Sequence, residues 1–259
     1  MILFNIPLDQ IQLFIFILVR VSAVLFSIPF LDSQTIPVMV KVGLAMATAM
    51  LVFPNLNVAV QPLINNPVAF ILGLIGEVAI GLIIGFTAQL IFTGIQLAGQ
   101  MGGFQMGFAI ANVVDPASSL QIPVLAQFLN LFALMVFLGL NIHHYYIKAM
   151  ADSFAMIPLW SVHFNHDLFG FMMQLTANCF VIAVKIGAPV MVAMLLTSVA
   201  LGLMARTVPQ MQIFIVAMPL KILLGLVFMY LSLPYFNNFL QGAFMTLGRT
   251  VQGLMHLFR

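Results

Sequence analysis

Residues 99–108 read GQMGGFQMGF and continue into AIANVVDPASSLQIP at 109–123. Four of the first ten residues are glycine, and the other six are methionine, phenylalanine and glutamine in pairs. A glycine inside a helix is less favourable than an alanine by roughly 1 kcal/mol, and a loop in water does not need Met or Phe. We therefore predict a loop at 102–123 that faces protein or a water-filled cavity.

The composition of the chain indicates a membrane protein. Of the 259 residues 63% are hydrophobic and 5% are charged, whereas about a quarter of the residues of a soluble domain are charged. The single cysteine, Cys179, lies in an apolar run, which excludes a disulfide framework. The N-terminal residues MILFNIPLDQ lack a basic region and a small-residue cleavage site, so no removable signal peptide is predicted.

Long apolar runs predict an all-α, membrane-associated fold with about six helical segments, several of them kinked or hairpin-like. The segments cover about residues 10–31, 38–53, 68–98, 123–149, 170–205 and 211–233, followed by an amphipathic tail at 236–259. Predicted loops lie near 32–37, 54–67, 102–123, 153–167 and 207–210. The segments at 68–98 and 170–205 exceed one crossing, and we expect them to tilt, kink or fold back.

Most of these segments contain groups that lipid does not tolerate. Their ionisable residues are Arg20, Lys41, Glu77, Lys185 and Lys221, and their internal prolines are Pro29, Pro189 and Pro219. A charge or a proline-freed carbonyl that faces lipid stays uncompensated. The sequence therefore predicts helices that are surrounded mainly by other protein.

Each charge allows more than one interpretation. Lys41 lies near a helix end, where its side chain can reach the membrane surface. Arg20 and Glu77 have opposite charges and form a candidate structural ion pair between two helices. Lys185 and Lys221 have no acidic neighbour in sequence, so a backbone carbonyl, a lipid phosphate or an acid of another subunit is the expected partner.

Known catalytic signatures are absent from the sequence, and we predict no enzymatic activity, no cofactor and no metal. The best metal candidate combines four histidines with two aspartates. They are His143, His144, His163, His166, Asp152 and Asp167. The surroundings HFNHD at 163–167 are typical of a loop, where solvated or capping histidines are commoner than metal ligands.

The residue types at 99–123 suit a segment that closes a cavity by adaptable packing and is not rigid. Glycine allows close approach and positive φ, and methionine packs against many shapes. Gln105 and Asn112 can satisfy backbone groups outside helices, Asp115-Pro116 is a turn signal, and Pro123 begins the next helix. The alternative is an ordinary interhelical loop whose Met and Phe pack on neighbouring helices.

Four ordered blocks resemble the FliR family of flagellar type III export-gate proteins. They are RVSAVLFSIPFLDSQTIPVMVKVGLA at 20–45, GEVAIGLIIGFTAQLIF at 76–92, QMGFAIANVVDPASSLQIPVLAQF at 105–128 and LGLMARTVPQMQIFIVAMPLKILLGLVFM at 201–229. The resemblance covers nearly the whole chain. Asp115-Pro116, and Arg206 followed by Val208-Pro209-Gln210, are the most specific matches.

The resemblance implies one FliR-type domain over 1–259, with a FliP-like body at about 1–165 and a FliQ-like helix pair at about 166–259. It implies a non-catalytic subunit of the export channel in the bacterial inner membrane, at the centre of the flagellar basal body. The implied partners are FliP and FliQ in the channel, FlhB at its cytoplasmic entrance, FlhA, rod components, membrane lipid and unfolded rod, hook and filament subunits, with no nucleic acid.

The resemblance also assigns roles to residues. The implied plug of the channel lumen lies at about 102–121, with the candidate residues Gly102, Gly103, Phe104, Gln105, Met106, Gly107, Phe108, Asn112, Asp115 and Pro116. Met101 and Met106 are candidates for a methionine-lined constriction. The candidate charges within the assembly are Arg20, Glu77, Lys185, Arg206 and Lys221.

Three other functions stay open at this point. An injectisome export gate shares the chemistry of the flagellar one. A small-solute transporter would use Glu77 or Lys185 as its coupling site, and a membrane enzyme or metal transporter would use the histidines.

Overall fold

A computed structural model describes residues 8–32, 36–55, 66–108, 124–159, 166–207 and 213–258. Within these ranges all regular structure is helical, which confirms the predicted all-α class. The helices are α1 (Leu8–Phe26), α2 (Pro29–Asp32), α3 (Val38–Val52), α4 (Pro67–Met106), α5 (Val124–Gly139), α6 (Ile142–Met156), α7 (His166–Thr207) and α8 (Ile213–Leu257), with a 3-10 turn at Phe53–Asn55.

Among the described residues, α1, α4, α7 and α8 are long and apolar enough to cross a membrane. Helices α5 and α6 meet the same criterion only when they are taken together as one bent pair, which is either a broken span or a re-entrant loop. The predicted single segment at 123–149 is therefore two helices. The bend falls at Asn141, whose φ of 55° lies in the left-handed region that asparagine tolerates better than most residues.

Helix α4 is longer than the predicted segment at 68–98. It begins at Pro67, whose missing N–H is not needed in the first helical turn, and the Asn66 side chain accepts a hydrogen bond from the Val68 N–H at 3.0 Å. It then continues to Met106. The predicted loop at 102–123 therefore starts too early, because residues 102–106 are helical in spite of their glycines.

The C-terminal elements are also more continuous than predicted. Helix α7 passes through Pro189 without folding back on itself. The expected amphipathic tail at 236–259 is not a separate element, since α8 runs without interruption through Pro219 and Pro234. An internal proline removes one backbone hydrogen bond from a helix, and in α7 and α8 the helical pattern on both sides persists.

The described residues form two compact units. One unit contains the described parts of Met1–Leu90, Asn141–Leu175 and Met245–Arg259. Its core includes the buried side chains Phe16, Ile17 and Val24 of α1, and α1 packs on α3.

The other unit contains the described parts of Ile91–Leu140 and Thr176–Phe244. Its core includes a three-ring cluster of Phe92, Phe137 and Phe244, with ring centroids 5.5–5.8 Å apart. Such spacing lies within the range of favourable aromatic pairs.

Candidate functional site

The last turn of α4 is closed by a glycine cap. Gly107 has a φ of +93°, which side chains other than glycine rarely adopt. Its N–H donates to the Phe104 carbonyl at 3.2 Å, and the Phe108 N–H donates to the Gly103 carbonyl at 3.1 Å. This pair of bonds is a Schellman motif, which satisfies carbonyls at the helix end. Gly107 therefore determines where the helix stops and in which direction the following segment leaves.

The glycines before the cap lie where another chain segment comes close. A Cβ on Gly94 would lie 2.8 Å from the Cys179 carbonyl oxygen, and one on Gly99 would lie 2.9 Å from the Ala126 backbone nitrogen. Real side chains do not tolerate such contacts with backbone atoms. Close approach of the α4 backbone to α7 and α5 offsets the weak helix propensity of these glycines.

Met106, the last residue of α4, is fully buried. Its side chain occupies the space beside Gly225 of α8, so that a Cβ on Gly225 would clash with it and lie 2.9 Å from its Sδ. Phe104, by contrast, is 59% exposed, Gln105 is exposed and Met101 is partly exposed. Of the two methionines predicted to line a constriction, Met106 therefore acts as an anchor of the helix end in this conformation.

The remaining plug candidates Asn112, Asp115 and Pro116 lie outside the described residues. The plug role of residues 102–121 stays a prediction. The structure adds that the described part of this stretch consists of a capped helix end at 102–108.

The predicted pairing of Arg20 with Glu77 is confirmed. The Arg20 Nε–H donates to Glu77 Oε2, and both side chains are completely buried. The Arg20 Nη1 also donates to the carbonyl oxygens of Ser153 and Ile157, at 3.1 Å each. The guanidinium carbon lies 4.5 Å from the centroid of the Phe154 ring. One arginine thus connects α1, α4 and the end of α6.

The small residues around this pair allow the helices to approach closely. A Cβ on Gly81, one turn after Glu77, would lie 3.0 Å from the Arg20 carbonyl oxygen. A Cβ on Gly85 would clash with Ser27. Tyr146, also buried, shares a hydrogen bond of 2.8 Å with Thr87 of α4. The first half of α4 therefore lies against α1 and α6 through both charge and close packing.

The cations of the second unit have no carboxylate partner among the described residues. Lys185 is exposed on α7, with its Nζ 6.0 Å from the centroid of the Phe239 ring. Arg206 is exposed in the last turn of α7, and Lys221 is partly exposed in α8.

The histidines do not assemble into a metal site in the part of the chain that the structure describes. The rings of His143 and His144 lie 4.2 Å apart at the start of α6. His163 lies outside the described residues. The described histidines thus provide no group of three metal-binding side chains.

Several residues of these sites gave no signal in the sequence. Ser153, Ile157 and Phe154 contact Arg20 only because α6 returns to α1, and the first two contribute backbone carbonyls that any residue would provide. Nothing in the sequence distinguishes Gly225 from the other glycines of the chain, and only the structure shows its contact with Met106.

The geometry defines a helical membrane protein with a buried ion pair in one unit and a capped, anchored helix end in the other. A profile of the bacterial export proteins, family 1, matches residues 11–247. The chain belongs to this family.

Known relatives match nearly the whole chain. It is similar to the flagellar biosynthetic protein FliR of Bacillus subtilis (strain 168), with 30% identity over 256 residues that cover 98% of each chain. It is also similar to FliR of Escherichia coli (strain K12), with 32% identity over 238 residues that cover 92% of this chain and 90% of the relative. For FliR of Aquifex aeolicus (strain VF5), the identity is 28% over 218 residues, or 83% of each chain. The resemblance inferred from four sequence blocks is confirmed.

We predict that Glu77→Ala lowers the free energy of unfolding by about 3–5 kcal/mol, because it leaves a buried guanidinium without its counter-ion. The control is the double variant Arg20→Met/Glu77→Leu, which removes both charges at similar volume and should recover part of that loss, since the Ser153 and Ile157 carbonyls lose their donor. The measurement is the thermal unfolding midpoint of this chain within the complex purified in detergent. Equal midpoints for the wild type and Glu77→Ala would contradict the structural role.

We also predict that Gly225→Val expels Met106 from its buried position, because the new side chain needs the same space. The thioether then becomes accessible, and mild peroxide oxidises Met106 to the sulfoxide faster than in the wild type. Peptide mass spectrometry measures the rate. The matched control is Gly242→Val in the same helix, where a Cβ meets nothing within 4 Å. An unchanged Met106 rate in Gly225→Val would show that the anchor does not exist.

Proposed function

We propose that the chain is a structural and gating subunit of the flagellar type III protein-export channel in the bacterial inner membrane. It passes unfolded rod, hook and filament subunits and has no catalytic role. The observation that carries the proposal is the length of three helices. Helices α4, α7 and α8 contain 40, 42 and 45 residues, whereas about 20 residues cross the hydrocarbon core of a bilayer.

The surplus length must be covered by something other than lipid tails. At 1.5 Å per residue these helices are about 60–68 Å long, against a hydrocarbon core of about 30 Å. Their most apolar 18-residue windows are only 33%, 39% and 17% buried within the chain. Apolar helix surface that extends beyond the bilayer into water is unfavourable at about 25 cal/mol per Å². A larger protein assembly provides the missing cover.

The partners that can cover this apolar helix surface are other apolar membrane subunits. We assign this role to FliP and FliQ within the channel, with FlhB at the cytoplasmic entrance, FlhA coupled to it and the rod above. The assignment is supported by membership of the export family and by similarity to proteins named FliR over nearly the whole chain.

The gate of the channel is assigned to the stretch that leaves α4. Gly107 and Met106 fix the start of this stretch, and Phe104 and Gln105 expose their side chains next to it. A firmly anchored base followed by a soft segment rich in small residues suits a plug that moves aside for an unfolded chain and then reseals. Asn112, Asp115 and Pro116 belong to the moving part in this proposal.

The test is complementation of a strain that lacks the gene. We expect the deletion strain to secrete no hook or filament subunits and the wild-type gene to restore secretion. Gly107→Val, which no longer fits a φ of +93°, should restore secretion but make the cells permeable to small ions. The control Gly43→Val lies where a Cβ meets nothing within 4 Å and should behave as wild type. Undiminished secretion by the deletion strain would contradict the export function, and normal ion permeability of Gly107→Val would contradict the gate.

A further inference from the structure

Lys185 lies near the middle of α7 and forms no ion pair with a carboxylate among the described residues. It is the twentieth residue of α7, about 28 Å from the helix start and about 33 Å from its end at 1.5 Å per residue. Both halves of the helix are therefore about as long as the hydrocarbon core is thick. If Lys185 lies at the membrane surface, an apolar half of α7 extends out of the membrane, and that half needs other protein to cover it. If it lies inside the membrane, the ammonium itself needs a polar partner.

The surface around Lys185 is apolar and exposed. Val181, Lys185, Val192 and Leu195 follow one another at spacings of four, seven and three residues, which places them on one face of α7. Val181, Val192 and Leu195 are 45%, 58% and 60% exposed. We call these four residues the Lys185 face. Its apolar residues can pack against the apolar side of another membrane helix. Its single positive charge requires an acidic side chain on that helix.

Lys185 presents two polar groups at the same place on α7, its backbone carbonyl and its ammonium. Pro189 has no N–H, so the α-helical hydrogen bond to the Lys185 carbonyl cannot form. The Lys185 ammonium has the Phe239 ring on one side, at 6.0 Å from Nζ to the ring centroid. An aromatic face attracts a cation at this distance without neutralising its charge.

The chain itself offers little to balance the charge. The sequence of the unit that contains Lys185, residues 91–140 and 176–244, includes the cations Lys185, Arg206 and Lys221 but a single acid, Asp115. Among the described residues no carboxylate forms an ion pair with Lys185. Asp115 lies outside the described residues. An Asp or Glu of another molecule is therefore a candidate counter-ion for Lys185.

We propose that the Lys185 face binds a helix of a neighbouring protein subunit, and that an Asp or Glu of that helix forms an ion pair with the Lys185 ammonium. The proposal rests on the proposed function, because it requires a multi-subunit membrane complex. It specifies one contact of that complex and the chemistry of its partner. Once the partner helix is bound, it covers Lys185 together with the Phe239 ring and excludes water, which strengthens the pair and makes its loss costly.

The first test is photo-crosslinking in the membranes of the native bacterium. The photoreactive residue p-benzoylphenylalanine replaces Val181 in one variant and Val192 in another, so that Lys185 itself stays in place, and the complex is purified through a tag on this chain. We expect both positions to crosslink to one helix of another polypeptide, at sites about eleven residues apart, with an Asp or Glu between the two sites. Adducts with lipid alone, or with a peptide that has no acid there, would overturn the proposal.

The second test exchanges the charges. Lys185→Glu should lower the recovery of the complex about tenfold or more, because two like charges then face each other in an apolar contact. Replacing the acid between the crosslinked sites by Lys in the partner should restore recovery. A Lys185→Glu variant that assembles as well as the wild type would overturn the ion pair and leave the export function intact, whereas a wild-type chain that purifies alone would overturn both.

Discussion

A hydrocarbon core about 30 Å thick accommodates about 20 helical residues, and α4, α7 and α8 contain 40, 42 and 45. This mismatch cannot be absorbed by tilt, since a tilt of the usual 20° lengthens the crossing by only a few ångströms. Much of each helix therefore lies against protein or in water. In the proposed assembly, neighbouring subunits cover the glycines, prolines and charges that make these helices unsuited to lipid, together with the exposed apolar surface of the chain.

Two local features stabilise the arrangement of the helices within this chain. The Arg20–Glu77 pair is completely buried and extends through two carbonyls to the end of α6. Burying two charges has a large desolvation cost, so the pair specifies which helices meet more than it adds stability. In the other unit, the Schellman motif at Gly107 and the burial of Met106 beside Gly225 fix the end of α4. In the proposed function, the gate is assigned to the residues after that end.

The sequence predicted the helical class, the membrane character and the Arg20–Glu77 pair, because hydrophobic runs and isolated opposite charges are local signals. It failed at the end of α4, where propensity argued against a helix through Gly99, Gly102 and Gly103. Close packing of Gly94 and Gly99 on neighbouring backbone outweighs that propensity, and such packing is a long-range property that no local pattern reveals. The break at Asn141 was missed because Phe137, Ile142 and Tyr146, on either side of it, follow one another at nearly helical spacing, so that the hydrophobic pattern shows no interruption. The partner of Met106 could not be predicted, because Gly225 lies more than a hundred residues away.

Other polypeptides, in our proposal, cover most of the length of α4, α7 and α8. Electron cryomicroscopy of the complex purified from the native bacterium tests it most directly. We expect a map in which this chain is surrounded by protein subunits along these three helices, with residues 109–123 inside the bore that the subunits enclose. A map of a solitary chain whose long helices face detergent, with the same residues on its outer surface, would contradict it.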